Sequence, residues 1–373
     1  MYSLIILTIV FILTLCLGLY FTPYIASLSR ELHLYDLPDS RKVHQLPIPR
    51  LGGAAFIPVV LFVILTLNVT MARFGIEIET LWKPSTVQHF LAYLAGSILL
   101  YIVGLYDDIH GVSYRIKFLV QIVAAFLLCV SGLWIADFSH IFLIDRVPFW
   151  VGMPITIFFV VYLTNAMNLI DGIDGLASGL SSISLFVIAI LCLINDEMVW
   201  SMISVAFLGS CMAFFYYNVF NKRHKIFMGD SGSLTLGYTL SFLILHFWQA
   251  GPVWNSHLHN IGIVALSTLV IPMFDVVRVF ASRIRDGRNP FLPDKNHIHH
   301  KFLRAGVSPH MTMVLILFIS LGIIISNYLI AAYIDPTLII VADIVFYVLL
   351  HVCINIFIAR REKKTGIRWD RQI

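Results

Sequence analysis

Side chains that could do chemistry are concentrated in five short polar segments of an otherwise apolar chain. Three of these segments, LYDDIHG, NAMNLIDGIDGLA and FMGDSGS, contain the acids Asp107, Asp108, Asp171, Asp174 and Asp230. The other two, 27–50 and 282–310, combine basic residues with histidines. Carboxylates suit a hard cation such as Mg²⁺, and basic side chains bind phosphate. The residue types therefore indicate chemistry on phosphorylated substrates.

Asp107 and Asp108 follow the third apolar run directly. They can be a pair of solvated loop acids or, with Arg115 and Lys117 nearby, a site for a hard cation that carries a phosphate ligand. Prenyltransferases of the DDxxD kind begin in the same way, but Gly111 stands where their later acid would be.

The segment NAMNLIDGIDGLA combines two amides with two acids. Asn165 and Asn168 lie one helical step apart on one stripe of the fifth apolar run. Asp171 and Asp174 then interrupt the helix, and Asp174 is also placed to cap the next one, which is the structural alternative. Amides can donate to and accept from a nucleotide base or sugar, so the segment predicts a ligand contact.

In FMGDSGS, Asp230 precedes the eighth apolar run between Gly229 and Gly232. The glycines would let the backbone approach a ligand closely. A helix N-terminus also offers free N–H groups to phosphate oxygens. A capped helix start without a ligand is the alternative.

Three histidines, His297, His299 and His300, follow Lys295 in PDKNHIHH. A zinc site is disfavoured because no cysteine is near and the i, i+4 spacing is absent. A solvated loop or attraction of the basic residues to anionic lipid stays open. The surrounding arginines and lysines favour contact with phosphate.

The segment 27–50 carries Lys42, His44 and Arg50 among several prolines. Positive-inside anchoring would explain these charges but not the dense proline and glycine framework. The prolines predict an ordered, non-helical loop.

The composition places these segments at a membrane. Of 373 residues, 59% are hydrophobic and only 12% are charged, with a mean hydropathy of +0.88. Soluble domains carry about 25% charged residues, so the composition excludes a soluble globular enzyme. It also excludes a disordered chain and a nucleic-acid-binding domain, which need charged surfaces.

The apolar runs predict an all-α, polytopic membrane protein with about eleven transmembrane helices, since one span takes about 20 apolar residues. The predicted spans are 2–26, 54–71, 90–106, 118–135, 149–169, 176–194, 200–220, 233–248, 261–280, 311–332 and 338–358. We predict one integral membrane domain, 1–373, with a basic cytoplasmic tail at 359–373. The expected catalytic loops are about 27–53, 106–117, 165–176, 218–233 and 282–310.

The basic residues indicate the orientation. With the N-terminus outside, 22 of the 25 lysines and arginines fall on one face, and only Arg73, Lys83 and Arg146 fall on the other. The positive-inside rule makes the basic face cytoplasmic, and an odd span count places the C-terminus there too. The first basic residue is Arg30, so the first run is predicted to be a retained span rather than a secretory signal.

The motifs also occur in the order of a known family. DxPDxRKxHxxPxPRLGG, the DD pair, NxxNxxDGxDGLA, FMGDxGS and PDxNHxHHxF extend from about Asp36 to Leu303. Together they resemble the polyprenyl-phosphate N-acetylhexosamine-1-phosphate transferases, in particular the undecaprenyl-phosphate N-acetylglucosaminyl branch. The resemblance implies transfer of a sugar 1-phosphate from a cytoplasmic UDP-N-acetylhexosamine to a membrane polyprenyl phosphate, with release of UMP. UDP-GlcNAc is the expected donor, and the reaction would begin lipid-linked assembly of a cell-envelope polysaccharide such as lipopolysaccharide or cell wall.

The resemblance also implies roles for individual residues. Asp230 would bind Mg²⁺, for which Mn²⁺ is a substitute. Asp107, Asp108 and Asp171 are further candidate ligands, and with Asp174 they are the expected catalytic acids. The expected substrate-binding residues are Lys42, His44, Arg50, Asn165, Asn168, Asn218, Lys295, His297, His299 and His300.

The implied partners are the UDP-sugar, the polyprenyl phosphate and the lipid bilayer, without nucleic acid, and a homodimer is a candidate assembly. The implied location is the inner (plasma) membrane, with the active site on the cytoplasmic face. Sugar identity, polyprenol length and the downstream glycan are not determined by the sequence.

The role of Asp107 stays open between metal ligand, base and nucleophile. The acceptor is a phosphate monoester with a second pKa of about 6, so near pH 7 it is mostly a dianion and needs little help from a base. We therefore favour positioning or metal ligation over proton abstraction and over a covalent aspartyl-phosphate.

Two other classes are the alternatives. A membrane transporter or lipid flippase would place polar groups near the bilayer midplane and often shows inverted repeats, and neither feature is visible in the sequence. An intramembrane prenyltransferase using Asp107 and Asp108 would release pyrophosphate and need no UDP-sugar.

The charge asymmetry makes orientation testable. A tag after Ile373 should be cytoplasmic and one before Tyr2 external, because 22 basic residues hold one face inside. Labelling of the tags in intact cells with a membrane-impermeant reagent measures this. A C-terminal tag labelled from outside would contradict the predicted topology.

Overall fold

The computed structural model describes residues 2–36, 47–75, 82–138, 141, 146–250, 260–289 and 295–366. The helices are α1 (Tyr2–Glu31), α2 (Phe56–Arg73), α3 (Pro84–His110), α4 (Tyr114–Val130), α5 (Phe149–Ile170), α6 (Leu176–Ile194), α7 (Met198–Phe215), α8 (Gly229–Ala250), α9 (Ile261–Ser267), α10 (Val270–Arg285), α11 (Ile298–Ala305), α12 (Pro309–Ile330) and α13 (Pro336–Thr365). Two strands, β1 (Tyr35–Asp36) and β2 (Ile48–Pro49), pair antiparallel. The predicted helical class is confirmed apart from this short pair.

Eight of the described helices are long and apolar enough to cross a membrane, or nine if the bent pair α9 and α10 counts as one span. The protein is therefore a multi-pass membrane protein. The predicted count of eleven is not confirmed. Helices α4 and α8 coincide with the fourth and eighth predicted spans, but α4 has only 17 residues and α8 opens on the polar sequence GDSGS. The orientation of the termini stays a prediction.

Several helices continue past the predicted spans and shorten the predicted loops. Helix α1 reaches Glu31, α3 reaches His110 and α13 reaches Thr365. An apolar run marks contact with lipid, whereas backbone hydrogen bonding can continue into polar sequence, as it does in α13 through Arg, Glu and Lys residues of good helix propensity. The segment predicted to be non-helical from residue 27 thus begins as helix. Lys42 and His44 lie outside the described residues.

Helix α8 is the centre of the bundle, and every residue from Ser231 to Phe247 is buried. Helices α3 and α5 pack against it, and α7 lies between α1 and α6. The hydroxyls of Thr235, Thr239 and Ser241 donate to the carbonyls four residues earlier, so these polar groups are satisfied within the helix. Large apolar side chains on α1, α12 and α13 face outward, as expected of lipid-facing helices.

The predicted ninth span is broken rather than continuous, because α9 and α10 meet at 65°. Pro272 has no N–H to donate to the Thr268 carbonyl, which lies four residues before it. The Ser184 hydroxyl of α6 donates to that carbonyl instead, at 3.1 Å. The break therefore leaves this buried acceptor satisfied.

Small residues let three backbones meet at the start of α8. A Cβ on Gly104 of α3 would lie 2.6 Å from the Cα and N atoms of Ser231. A Cβ on Gly53, in the 3₁₀ turn before α2, would lie 2.1 Å from the Cα of Gly232. The polar end of α8 is thus held directly between α3 and this turn.

This crossing predicts a stability effect. Gly104→Ala should lower the melting temperature of the detergent-solubilised protein, because forcing an extra carbon against backbone costs about 1–3 kcal/mol. Gly322→Ala on α12 is the matched control, since a Cβ there meets nothing within 4 Å. Equal melting temperatures for the two variants would contradict the close crossing.

Candidate active site

A cavity of about 560 Å³ lies where the polar ends of α3, α5 and α8 meet. Its lining residues are Asp36, Arg50, Asp107, Asp108, Asn168, Asp171, Gly172, Ile173, Asp174, Asn218, Lys225, Phe227, Gly229, Asp230, Ser233, His300 and Pro309. The structure therefore brings all five predicted acids to one cavity, together with Arg50, Asn168, Asn218 and His300.

Asp108 joins the end of α3 to the start of α8. Its Oδ1 accepts from the Asp230 backbone N–H at 2.8 Å, and its Oδ2 accepts from the N–H and hydroxyl of Ser231 at 3.0 and 2.8 Å. The anion held at this helix N-terminus is thus the protein's own carboxylate. Gly229 accommodates Asp108, and Gly232 accommodates Gly53, so the close approach expected for a ligand is taken by protein atoms.

Asp107 also lines the cavity, but it lies beside Lys117 and Asp230. The Lys117 ammonium lies 3.2 Å from Asp107 Oδ2 and 2.7 Å from Asp230 Oδ2. Oxygen atoms of Asp107, Asp108 and Asp230 all lie within 4.8 Å of one another. Two adjacent acids in sequence therefore have different surroundings, one tied to a helix end and one beside a cation.

The two asparagines of α5 separate. Asn168 donates to Asp230 Oδ1 at 3.0 Å and to the Ser233 hydroxyl at 2.8 Å, and so orients the acid in the cavity. Asn165 exchanges hydrogen bonds with Gln121 of α4 and does not line the cavity. Three residues along a helix turn a side chain by about 300°, enough to place these two amides against different neighbours.

The turn after α5 is held by side chains from the loop before α8. Asp174 forms an ion pair with Lys225. Gly175, in the left-handed conformation, is the residue before α6, so the interpretation of Asp174 as its cap is wrong. The N–H of Gly175 donates to Asn218 Oδ1 at 2.6 Å, and Asn218 donates to the Ile226 carbonyl at 3.0 Å. Asn218 lies in a π-helical turn at the end of α7, a feature common at functional sites.

Asp171 lies on the cavity wall and its side chain is exposed to the cavity. Enclosure of the cavity by the protein, together with the negative charges of Asp174 and Asp230, raises the pKa of Asp171 to about 7. The ionised carboxylate is therefore less favourable here than in bulk water.

The histidines divide as well. His300 lines the cavity. His299 is buried, and a Cβ on Gly172 would come within 2.2 Å of its Nε2, so its ring packs on the Asp171 turn. Burial and the neighbouring histidines hold the pKa of His299 well below its usual range, which leaves it neutral. His297 Nδ1 lies 2.8 Å from Asp275, and half-buried Lys295 does not line the cavity. Donor contact by these four residues stays a prediction.

The acid cluster fits a divalent cation. Its donors are carboxylate oxygens, which Mg²⁺ and Mn²⁺ accept, and the Lys117 ammonium already occupies a cation position between Asp107 and Asp230. Asp108 is less available, because both of its oxygens accept hydrogen bonds from α8. Asp230 and Asp107 are thus the better candidate ligands.

Four polar residues at the site are not among the predicted site residues: Lys117, which pairs with the acid cluster, and Asp36, Lys225 and Ser233, which line the cavity. Lys117 lies near the acid pair in the chain, which is the signal that relates it to a cation and phosphate site, and the structure places it in the first turn of α4. Asp36 pairs with Ile48 in the β1–β2 ladder, and Ile48 lies two residues before Arg50. No local pattern in the sequence predicts this pairing. Lys225 is one of three basic residues close together in a loop, and nothing in the local sequence distinguishes it from the others.

The bundle and this cavity define a multi-pass membrane protein with a polar cavity lined by acidic side chains. The model of glycosyl transferase family 4 matches residues 90–247, which include the acid motifs. The chain is 35% identical over 312 residues to the probable undecaprenyl-phosphate N-acetylglucosaminyl 1-phosphate transferase of Bacillus subtilis, covering 83% of this chain and 81% of the relative.

Two further relatives are named undecaprenyl-phosphate alpha-N-acetylglucosaminyl 1-phosphate transferase. The Yersinia pestis protein is 33% identical over 292 residues, and the Escherichia coli K12 protein is 30% identical over 295. Each alignment covers 77% of this chain and 74% of the relative. The chain belongs to this family of membrane phosphoglycosyltransferases, and the resemblance of its motifs is confirmed.

The raised pKa of Asp171 predicts an unusual stability profile. An acid that binds its proton more tightly when folded destabilises the fold as pH rises from its ordinary pKa towards 7. In EDTA, Asp171→Asn should therefore melt higher than the wild type at about pH 8, and this advantage should shrink at about pH 5. Thermal melts of the detergent-solubilised proteins measure this. A variant that melts lower than the wild type at pH 8 would show that the ionised carboxylate stabilises the fold.

Proposed function

We propose that the protein transfers N-acetylglucosamine 1-phosphate from UDP-GlcNAc to undecaprenyl phosphate and releases UMP. The observation that carries the proposal is the convergence of Asp107, Asp171, Asp230 and Lys117 at one cavity of a multi-pass membrane protein of this family. The site would lie on the cytoplasmic face of the inner membrane, where it would begin lipid-linked assembly of an envelope polysaccharide. UDP-GalNAc is the next candidate donor.

The chemistry is a displacement at phosphorus. An oxygen of the undecaprenyl phosphate attacks the donor phosphorus that bears the sugar, and the bond from that phosphorus to the bridging oxygen breaks. The bridging oxygen leaves on UMP, and the product is a lipid diphosphate sugar. Both reactants are anionic, so bringing them together needs charge neutralisation and alignment more than it needs a base.

The chain's own residues supply several parts of this requirement. Lys117 offers a positive charge at the acid cluster, and Arg50, Lys225 and His300 stand around the cavity. Asn168 fixes Asp230 through a direct hydrogen bond. Mg²⁺, held by Asp230 and Asp107 with Asp171 as a further candidate, would neutralise phosphate charge when bound. Asp108 would act by holding α8 in place rather than by touching substrate.

The direct test is product analysis with purified protein in lipid nanodiscs. Undecaprenyl phosphate and UDP-GlcNAc should give UMP and lipid-linked GlcNAc diphosphate in equal amounts, while a panel with UDP-GalNAc and UDP-glucose reports donor choice. No UMP with any UDP-sugar would overturn the proposal. Release of pyrophosphate would indicate a prenyltransferase, and passage of a substrate across the bilayer without UMP release would indicate a transporter.

The metal assignment predicts the behaviour of Asp230→Asn. The amide keeps the shape and removes the charge, so UMP release should fall by at least about a hundredfold, because a bound metal supplies several kcal/mol of transition-state stabilisation. Rates across a Mg²⁺ titration measure this, with size-exclusion profiles to check folding. Asp137→Asn, distant from the cavity, is the control and should keep wild-type rates. Near wild-type turnover of Asp230→Asn at low Mg²⁺ would refute the assignment.

A further inference from the structure

The Asp275 carboxylate on α10 is buried, accepts several hydrogen bonds and has no part in the reaction proposed above. Asp275 is fully buried and does not line the cavity. Its Oδ1 accepts from Arg278 at 2.8 Å, from the Ile298 backbone N–H at 2.9 Å and from the Tyr347 hydroxyl at 3.2 Å. Its Oδ2 lies 2.8 Å from His297 Nδ1. A single side chain thus gathers groups from α10, α11 and α13.

Two of these partners fix the start of α11. His297 is the residue before the helix, and Ile298 is its first residue, whose N–H has no partner within the helix. Arg278 also donates to the carbonyl of Asn296. The orientation of the short helix is therefore set largely by Asp275 and its arginine.

The same helix carries the histidines that reach the site. His300 lines the cavity, and the His299 ring lies against Gly172, next to Asp171. Among the described residues, neither ring nitrogen of His299 has a hydrogen-bond partner. Packing alone holds this ring, so its position depends on where α11 is anchored.

We propose that Asp275 is a positioning residue, which holds α11 so that His299 packs on the Asp171 turn and His300 reaches the donor side of the cavity. This inference deepens the proposed function and rests on it. The rival account is a generic buried ion pair, whose loss would weaken the fold without affecting one substrate more than the other.

Asp343 provides a matched control. It is also a buried acid, on α13, and its Oδ2 accepts from Asn327 at 2.8 Å. Asn327 belongs to α12, and Asp343 is not among the described residues that line the cavity. Asp343→Asn therefore removes a buried charge, as Asp275→Asn does, without releasing the histidines.

The kinetic experiment compares the two variants in nanodiscs. Asp275→Asn should lower kcat/KM for UDP-GlcNAc by about ten- to a hundredfold, because that is the rate change that corresponds to losing a hydrogen bond to a charged group. The KM for undecaprenyl phosphate should stay near the wild-type value. Asp343→Asn should stay within about threefold, the loss expected for a single ordinary hydrogen bond. An equal loss of kcat/KM in the two variants would overturn the proposal. So would an equal change in the KM values for UDP-GlcNAc and undecaprenyl phosphate.

A double-mutant cycle adds a test that does not depend on the size of either effect. If Asp275 acts through the histidines, Asp275→Asn should cause little further loss in a protein that already carries His299→Ala and His300→Ala. Fully additive losses would show that it acts elsewhere.

Hydrogen–deuterium exchange gives a readout independent of activity. Exchange across 295–305 should rise in Asp275→Asn and stay unchanged in Asp343→Asn. Unchanged exchange in Asp275→Asn would overturn the positioning role, even if the wild type released no UMP and the proposed function had failed. Should Asp275→Asn not fold, Tyr347→Phe removes one donor to the same carboxylate and should raise exchange in the same segment.

Discussion

The carboxylate of Asp108 is the interaction on which the rest of the site depends. It is almost fully buried, and both of its oxygens are occupied by donors at the first turn of α8. A buried charge is tolerated there because the N-terminus of a helix carries partial positive charge and unpaired N–H groups. With α3 and α8 joined in this way, Asp107 and Asp230 lie in one cluster, with carboxylate oxygens within 4.8 Å of each other. Lys117 and Asn168 then pack around Asp230.

The cavity brings together six acids, the five motif acids and Asp36, which works against folding. The contacts of the motif acids show how much of this repulsion is compensated. Asp108 is satisfied by the helix, Asp174 by Lys225, and Asp107 and Asp230 share Lys117. Among the described basic side chains that line the cavity, none is paired with Asp171, and enclosure together with the neighbouring acids raises its pKa to about 7. In the proposed function, a cation and an anionic substrate that bind together would offset this repulsion. Functional sites commonly keep such costs.

The sequence predicts the acids of this site better than its geometry. Apolar runs locate the helices because a helix that spans the membrane needs apolar side chains in contact with lipid. The motif acids lie at helix ends because charged groups are unfavourable in the hydrocarbon region. Local pattern cannot show that Asp108 accepts hydrogen bonds from α8 while Asp107 pairs with Lys117, or that Asn165 turns to α4. These outcomes depend on contacts between residues more than 40 positions apart, such as Asp108 with Ser231 and Asn165 with Gln121. The broken ninth span shows the same limit, since Pro272 is a local signal but the Ser184 hydroxyl that satisfies the freed carbonyl comes from another helix.

The two walls of the cavity are built on different parts of the bundle. The acid wall, which contains Asp107 and Asp230, is positioned by the central helix α8 and its neighbours, whose backbones are in contact at small residues. The histidine wall is set by α11, which Asp275 anchors at its start and α13 anchors at its end through Arg304 with Glu362 and through Arg361 with the last carbonyls. Because these two sets of contacts share few residues, a change in one wall need not disturb the other. The family's common step at phosphorus would then depend on the acid wall, while the choice among UDP-sugars could be altered through α11 without dismantling the charge cluster.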